Sequence, residues 1–147
     1  MADEAYTAGL LQDIGTLVLA TNLPKEYGRV LISAQQQLQP LRTAEQSHFG
    51  TTHAELGACL ISKWELPFPI AEAVAWHHDP GSSESQTFSP LTAVHVADAF
   101  FAENQVGSYQ QHDGVVGEPM ARIDSHYLTS LGKQHRVSYW RGHCPVI

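Results

Sequence analysis

The sequence is short of cysteine, of basic residues and of long apolar runs, and each shortage removes a class of protein. Cys59 and Cys144 are its only thiols. They lie far apart, and Cys59 sits in an apolar helical pattern, which argues against a disulfide framework and makes a reducing compartment the more natural one. Eight Lys and Arg stand against fifteen Asp and Glu, a formal charge of -7. That field repels phosphate backbones and anionic lipids, which argues against nucleic-acid and membrane-surface partners. No apolar run reaches the roughly 20 residues that a membrane-spanning helix needs. The opening MADEAYT is acidic and lacks the basic and apolar regions of a signal peptide, so the cytoplasm is the expected location. Glycine-rich phosphate loops, a four-cysteine zinc pattern and a G-x-S-x-G elbow are also missing, which removes the corresponding nucleotide, zinc and serine-hydrolase templates. Convincing strand alternation and internal repeats are missing too.

What remains is a helical pattern. With 147 residues and 43% hydrophobic content, the chain suits one compact domain spanning residues 1–147, and its fold class is all-α. Apolar residues from Glu4 to Leu19 recur at helical spacing and predict one largely buried helix. Asn22 and Pro24 open a second helix that runs into the polar AQQQLQPL. Two short helices broken at Gly50 follow, with Thr51 or Thr52 capping a stripe of Leu56, Cys59, Leu60 and Trp64, where Cys59 is expected to be an inert core thiol. Pro69 sits in the first turn of a helix with a stripe of Ile70, Ala73, Val74 and Trp76, stopped by Pro80. Leu91, Val94, Ala97 and Phe101 mark another helix. The segment from Asn104 to Pro119 reads as a long loop. The last helices are capped by Asp124 or Ser125 and stopped at Gly132.

Polar residues interrupt this apolar pattern at Asp13, His53, the pair His77 and His78, and Asp98. A buried carboxylate needs a partner, a cap, water or a cation. Imidazoles and carboxylates together suit a divalent ion such as iron, manganese, nickel, zinc or magnesium, and such an ion supports hydrolytic chemistry. Ordinary structure accounts for the same residues. Histidine near a helix C-terminus interacts well with the dipole, and His95 with Asp98 is spaced as a one-turn pair. His48, His112, His126, His135 and His143 lie in polar surroundings and are expected at the surface.

The order of the motifs AGLLQDIGTLVLA, FGTTHAELGACLISKWELPFPIAEAVAWHHDP and AVHVADAF resembles the HDOD family, the HD-related output domains of bacterial signalling proteins within the HD phosphohydrolase superfamily. The resemblance covers Tyr6 to about Phe101 and implies an all-helical fold in which histidines and carboxylates surround one or two metals. By position it implies metal ligands at Asp13, His53, His77, His78 and Asp98. The doublet's histidine position holds Gln12, whose amide lacks the imidazole nitrogen, so a transition-metal site is weakened. The chain also corresponds to the C-terminal half of such a domain. Helices that lack their usual upstream partners expose an apolar face, which implies self-association as a homodimer. The expected function is a catalytically degenerate signalling or interaction module with no catalytic residue, working with its own copies and with other signalling proteins. The alternative is a metal-dependent phosphohydrolase or phosphodiesterase with bound water as nucleophile.

Overall fold

The computed structural model describes residues 1–105 and 122–143. Within them the chain forms α1 (Ala2–Leu11), α2 (Ile14–Asn22), α3 (Pro24–Gln37), α4 (Leu41–Phe49), α5 (His53–Lys63), α6 (Phe68–Trp76), α7 (Pro90–Gln105), α8 (Ser125–Ser130) and α9 (Val137–His143). Short 3-10 turns lie at Pro80–Ser82 and Gln134–Arg136. No strand occurs among the described residues, and none of the helices is long and apolar enough to cross a membrane. Asn104 and Gln105, expected to open the long loop, instead end α7, and the rest of that loop, to Pro119 and including His112, lies outside the described residues, as does Cys144.

Helix α6 is central, packing against α5 on one side and against α1 and α7 on others. Ala8, Ile61, Ile70, Ala73, Val74, Leu91 and Val94 meet there as the main core. Val30, Ala34, Leu41 and Ala44 join α3 to α4, and Val96, Phe100, Tyr127 and Leu128 dock α8 on α7. The hydrophobic effect thus ties both ends of the chain to the α5–α6–α7 centre, at roughly 1.5 to 3 kcal/mol for each large side chain buried.

Local sequence explains several boundaries. Gly50 takes φ 71 at the end of α4, a left-handed conformation that glycine adopts without strain. Thr52 then opens α5 with a capping box. Its hydroxyl accepts from the Glu55 amide at 3.2 Å, and the Glu55 carboxylate accepts from the Thr52 amide at 2.9 Å. Asp124 caps α8 by accepting from the Tyr127 amide, and Gly132 at φ 65 ends that segment.

Other expectations are corrected. The Glu4–Leu19 helix is two helices, because the backbone leaves helical geometry at Asp13 with φ -102 and ψ 16. Periodicity missed the break because the apolar spacing continues across it. Nor is this segment largely buried. Ala8, Gly15 and Leu19 are inside, whereas Tyr6, Leu10 and Leu17 are 72%, 68% and 58% exposed. Asn22 does not cap α3; it ends α2, and its side chain donates to the Val18 carbonyl.

On α5, Ala54, Gly57 and Ile61 face the core, while Cys59 and Trp64 are exposed. This helix is apolar around most of its surface, so hydrophobicity alone did not choose the inward face. Close approach by neighbouring helices selected its small residues. A Cβ on Gly57 would lie 3.0 Å from Val74 Cγ1 and 3.2 Å from Ile14 Cγ2. Likewise Trp76 and Phe101 are exposed, as is Ala97, while Val96, Ala99 and Phe100 are buried.

Candidate metal centre

The turn between α1 and α2, the N-terminus of α5 and the C-terminus of α6 converge at one place. Their closeness depends on Gly15, whose missing side chain lets α2 rest on the backbone of His53. A Cβ there would lie 2.0 Å from the His53 carbonyl oxygen and 2.8 Å from its carbon. The capping box holds His53 in the first turn of α5, and α6 ends at His77. Asp13, His53, His77 and His78 each offer one ligand atom, all within 4.8 Å of one another.

Hydrogen bonds decide which imidazole atoms face inward. His53 Nδ1 donates to Glu45 Oε2 at 2.6 Å, leaving Nε2 with its lone pair toward the cluster. His77 Nδ1 donates to the Val74 carbonyl at 2.9 Å, and its buried Nε2 has no hydrogen-bond partner. His53 Nε2 and His77 Nε2 lie 3.7 and 3.8 Å from the same atom, Asp13 Oδ1. His78 Nε2 lies 3.0 Å from His53 Nε2.

Burial, opposed by the Val74 hydrogen bond and the Asp13 charge, lowers the His77 pKa to about 4. Burial and then the His77 charge also lower that of His78. Both rings are therefore neutral near pH 7, as metal ligation requires. The Nε2 lone pairs of His53 and His77 and the Asp13 carboxylate oxygen converge and are complementary to a cation, while His78 Nε2 donates to His53 Nε2 when no cation is bound. Their chemistry fits a single divalent ion of the borderline transition-metal class better than a hard, oxygen-seeking one.

Among the other candidates, Asp98 stands beside this group. Its Oδ2 is 3.8 Å from His78 Nδ1, whereas His78 turns Nε2 toward His53. Gln12 lies next to the group, its side-chain amide 3.4 Å from Asp13 Oδ2. His95 is spaced as a partner for Asp98, but both its ring nitrogens are engaged elsewhere. Nδ1 donates to the His77 carbonyl at 2.7 Å, and Nε2 accepts from the Asp124 amide at 2.9 Å. His48, His126, His135 and His143 are exposed, as expected.

Sequence reasoning missed Glu45 and Tyr27. Glu45 is 0% exposed and accepts from three donors, the His53 amide at 2.9 Å, His53 Nδ1, and the Tyr27 hydroxyl at 2.9 Å. Burial raises its pKa, but the hydrogen bonds from His53 and Tyr27 work against burial, and the balance lies below the usual value. Burial and the Glu45 charge push Tyr27 above the usual phenol range. The available signal was a carboxylate on the apolar face of α4, next to Ala44 and spaced with Leu41.

Comparisons with known proteins agree with this architecture. The family model described as HDOD domain matches residues 1–80, which contain all four clustered residues and not Asp98. A protein of Treponema pallidum (strain Nichols), described as uncharacterized, is 29% identical over 93 residues, 62% of this chain and 18% of that protein. A crystal structure of an HDOD domain protein with unknown function from Geobacter sulfurreducens superposes with a TM-score of 0.71 at 24% identity. That superposition covers 94% of this chain and 49% of the other, so the chain spans about half the length of that protein. The family match over more than half of the residues and the shared all-helical fold establish that this chain belongs to the HDOD domain family.

Proposed function

We propose that the chain is a non-catalytic signalling or interaction module, a single domain over residues 1–147 that works in the cytoplasm and self-associates. The observation that carries this reading is Gln12. At the position where the superfamily resemblance calls for an imidazole, its amide sits against Asp13, and Asp13 is the one acidic or imidazole ligand that the turn between α1 and α2 brings to the four-residue cluster. Exposed Tyr6, Leu10 and Leu17 on those two helices support association with a second copy. Light scattering at micromolar concentration is expected to give a dimer, and a clean monomer would remove self-association from the reading.

A divalent ion suits this module as a structural or sensing element held by Asp13, His53, His77 and His78. When bound, such an ion would supply Lewis acidity. The chain's own contribution is to exclude solvent from His53 and His77 while leaving Asp13 open, with its side chain 58% exposed. That opening favours a second reading, a metal-dependent phosphohydrolase with Asp98 beside the cluster. Metal analysis after gentle purification, followed by phosphoester assays with added manganese or iron, separates the two. Metal uptake without turnover supports the module, and robust turnover supports the hydrolase.

A further inference from the structure

We propose that Glu45 is a positioning residue that holds His53 in its Nδ1–H tautomer and so presents His53 Nε2 to the cluster. The argument begins with geometry. Glu45 Oε2 accepts the His53 backbone amide at 2.9 Å and faces His53 Nδ1 at 2.6 Å. An oxygen already accepting one N–H can complete the short second contact only if Nδ1 also carries its proton. The other oxygen, Oε1, accepts from Tyr27, so both oxygens are committed and the carboxyl plane is set by two different helices and the start of a third.

The same side chain therefore fixes the position, ring orientation and protonation of His53 together. Rotating the ring or moving its proton would break the 2.6 Å bond inside a site where Glu45 has no solvent to replace it. Carboxylates behind metal-binding imidazoles play this part generally: they fix the tautomer and raise the basicity of the inward nitrogen. His77 has a weaker version, since its outward nitrogen meets a neutral carbonyl, that of Val74. His53 is thus the imidazole whose donor strength depends most on a single neighbouring side chain. The affinity arm of this proposal rests on the cation reading above, and the tautomer arm does not.

The test uses the full chain, chelated and then titrated with cobalt(II) as the probe. A long-range 1H–15N spectrum of the wild-type protein without metal is expected to show His53 protonated at Nδ1 and bare at Nε2. Glu45→Gln keeps an accepting oxygen and should keep that tautomer. Glu45→Met removes the acceptor, and should give mixed tautomers and a cobalt affinity lower by about 10- to 100-fold. Nε2 protonation in the wild type, or an unchanged tautomer and unchanged affinity in Glu45→Met, would overturn the proposal. Should Glu45→Met fail to fold, the wild-type spectrum and Glu45→Gln still decide it. Absence of any cobalt binding by the wild type would defeat the cation reading alone, with the spectrum still deciding the tautomer.

Discussion

Replacing Gly15 by alanine tests how the candidate centre is assembled. The added Cβ would sit 2.0 Å from the His53 carbonyl oxygen, where ordinary contact starts near 3.4 Å. Relief requires α2 and α5 to part locally by roughly 1.4 Å, since the obstacle is backbone and cannot rotate away. Overpacking of this kind costs about 1 to 3 kcal/mol, and more when backbone must move. Better helix propensity returns at most about 1 kcal/mol. The expected net loss is about 2 kcal/mol, or about 4 to 8 °C in Tm for a domain of this size. Asp13 precedes α2, so the shift should also widen its 3.7 Å separation from His53 Nε2 and weaken cation binding. Gly9→Ala is the control, because a Cβ at Gly9 in α1 meets nothing within 4 Å. Urea melts of both variants check the reasoning. Gly9→Ala should be neutral or slightly stabilising, and a Gly15→Ala protein as stable as wild type would refute the close approach.

Acid should destabilise the metal-free protein before its carboxylates titrate. His77 is neutral in the fold down to about pH 4, whereas the unfolded imidazole takes a proton near 6.5, so stability falls as pH drops through that window. His77 alone accounts for about 2 kcal/mol between pH 7 and pH 5, with His78 and His95 acting in the same direction. A flat urea midpoint over that range would contradict it. His95→Leu should strand the His77 carbonyl and the Asp124 amide, costing about 2 to 5 kcal/mol and speeding hydrogen exchange at Tyr127 and Leu128. Gln12→His should raise metal affinity modestly without robust hydrolysis, and calorimetry showing no gain would mean that position 12 does not reach the cluster.

The helical fold, most helix ends and the identity of the clustered residues were legible in the sequence, because these depend on local chemistry. Thr52 with Glu55, Gly50 and Pro69 each carry a signal within one turn of the structure that they start or stop. The family motifs likewise set Asp13, His53 and the His77–His78 pair in order, and a cluster of those four is what the fold produces.

What tertiary structure alone decided was direction and partnership. Periodicity could not show that the first helix breaks at Asp13, nor which of the apolar residues spread around α5 turn inward, because hydrophobic spacing was satisfied either way. Glu45 and His95 looked like ordinary side chains in sequence, eight residues before His53 and three before Asp98. Packing made one the hydrogen-bond acceptor behind His53 and the other the link between His77 and Asp124. A buried polar group must find its partner wherever the fold brings one. Such partners come from different helices, so no local pattern in the sequence can name them.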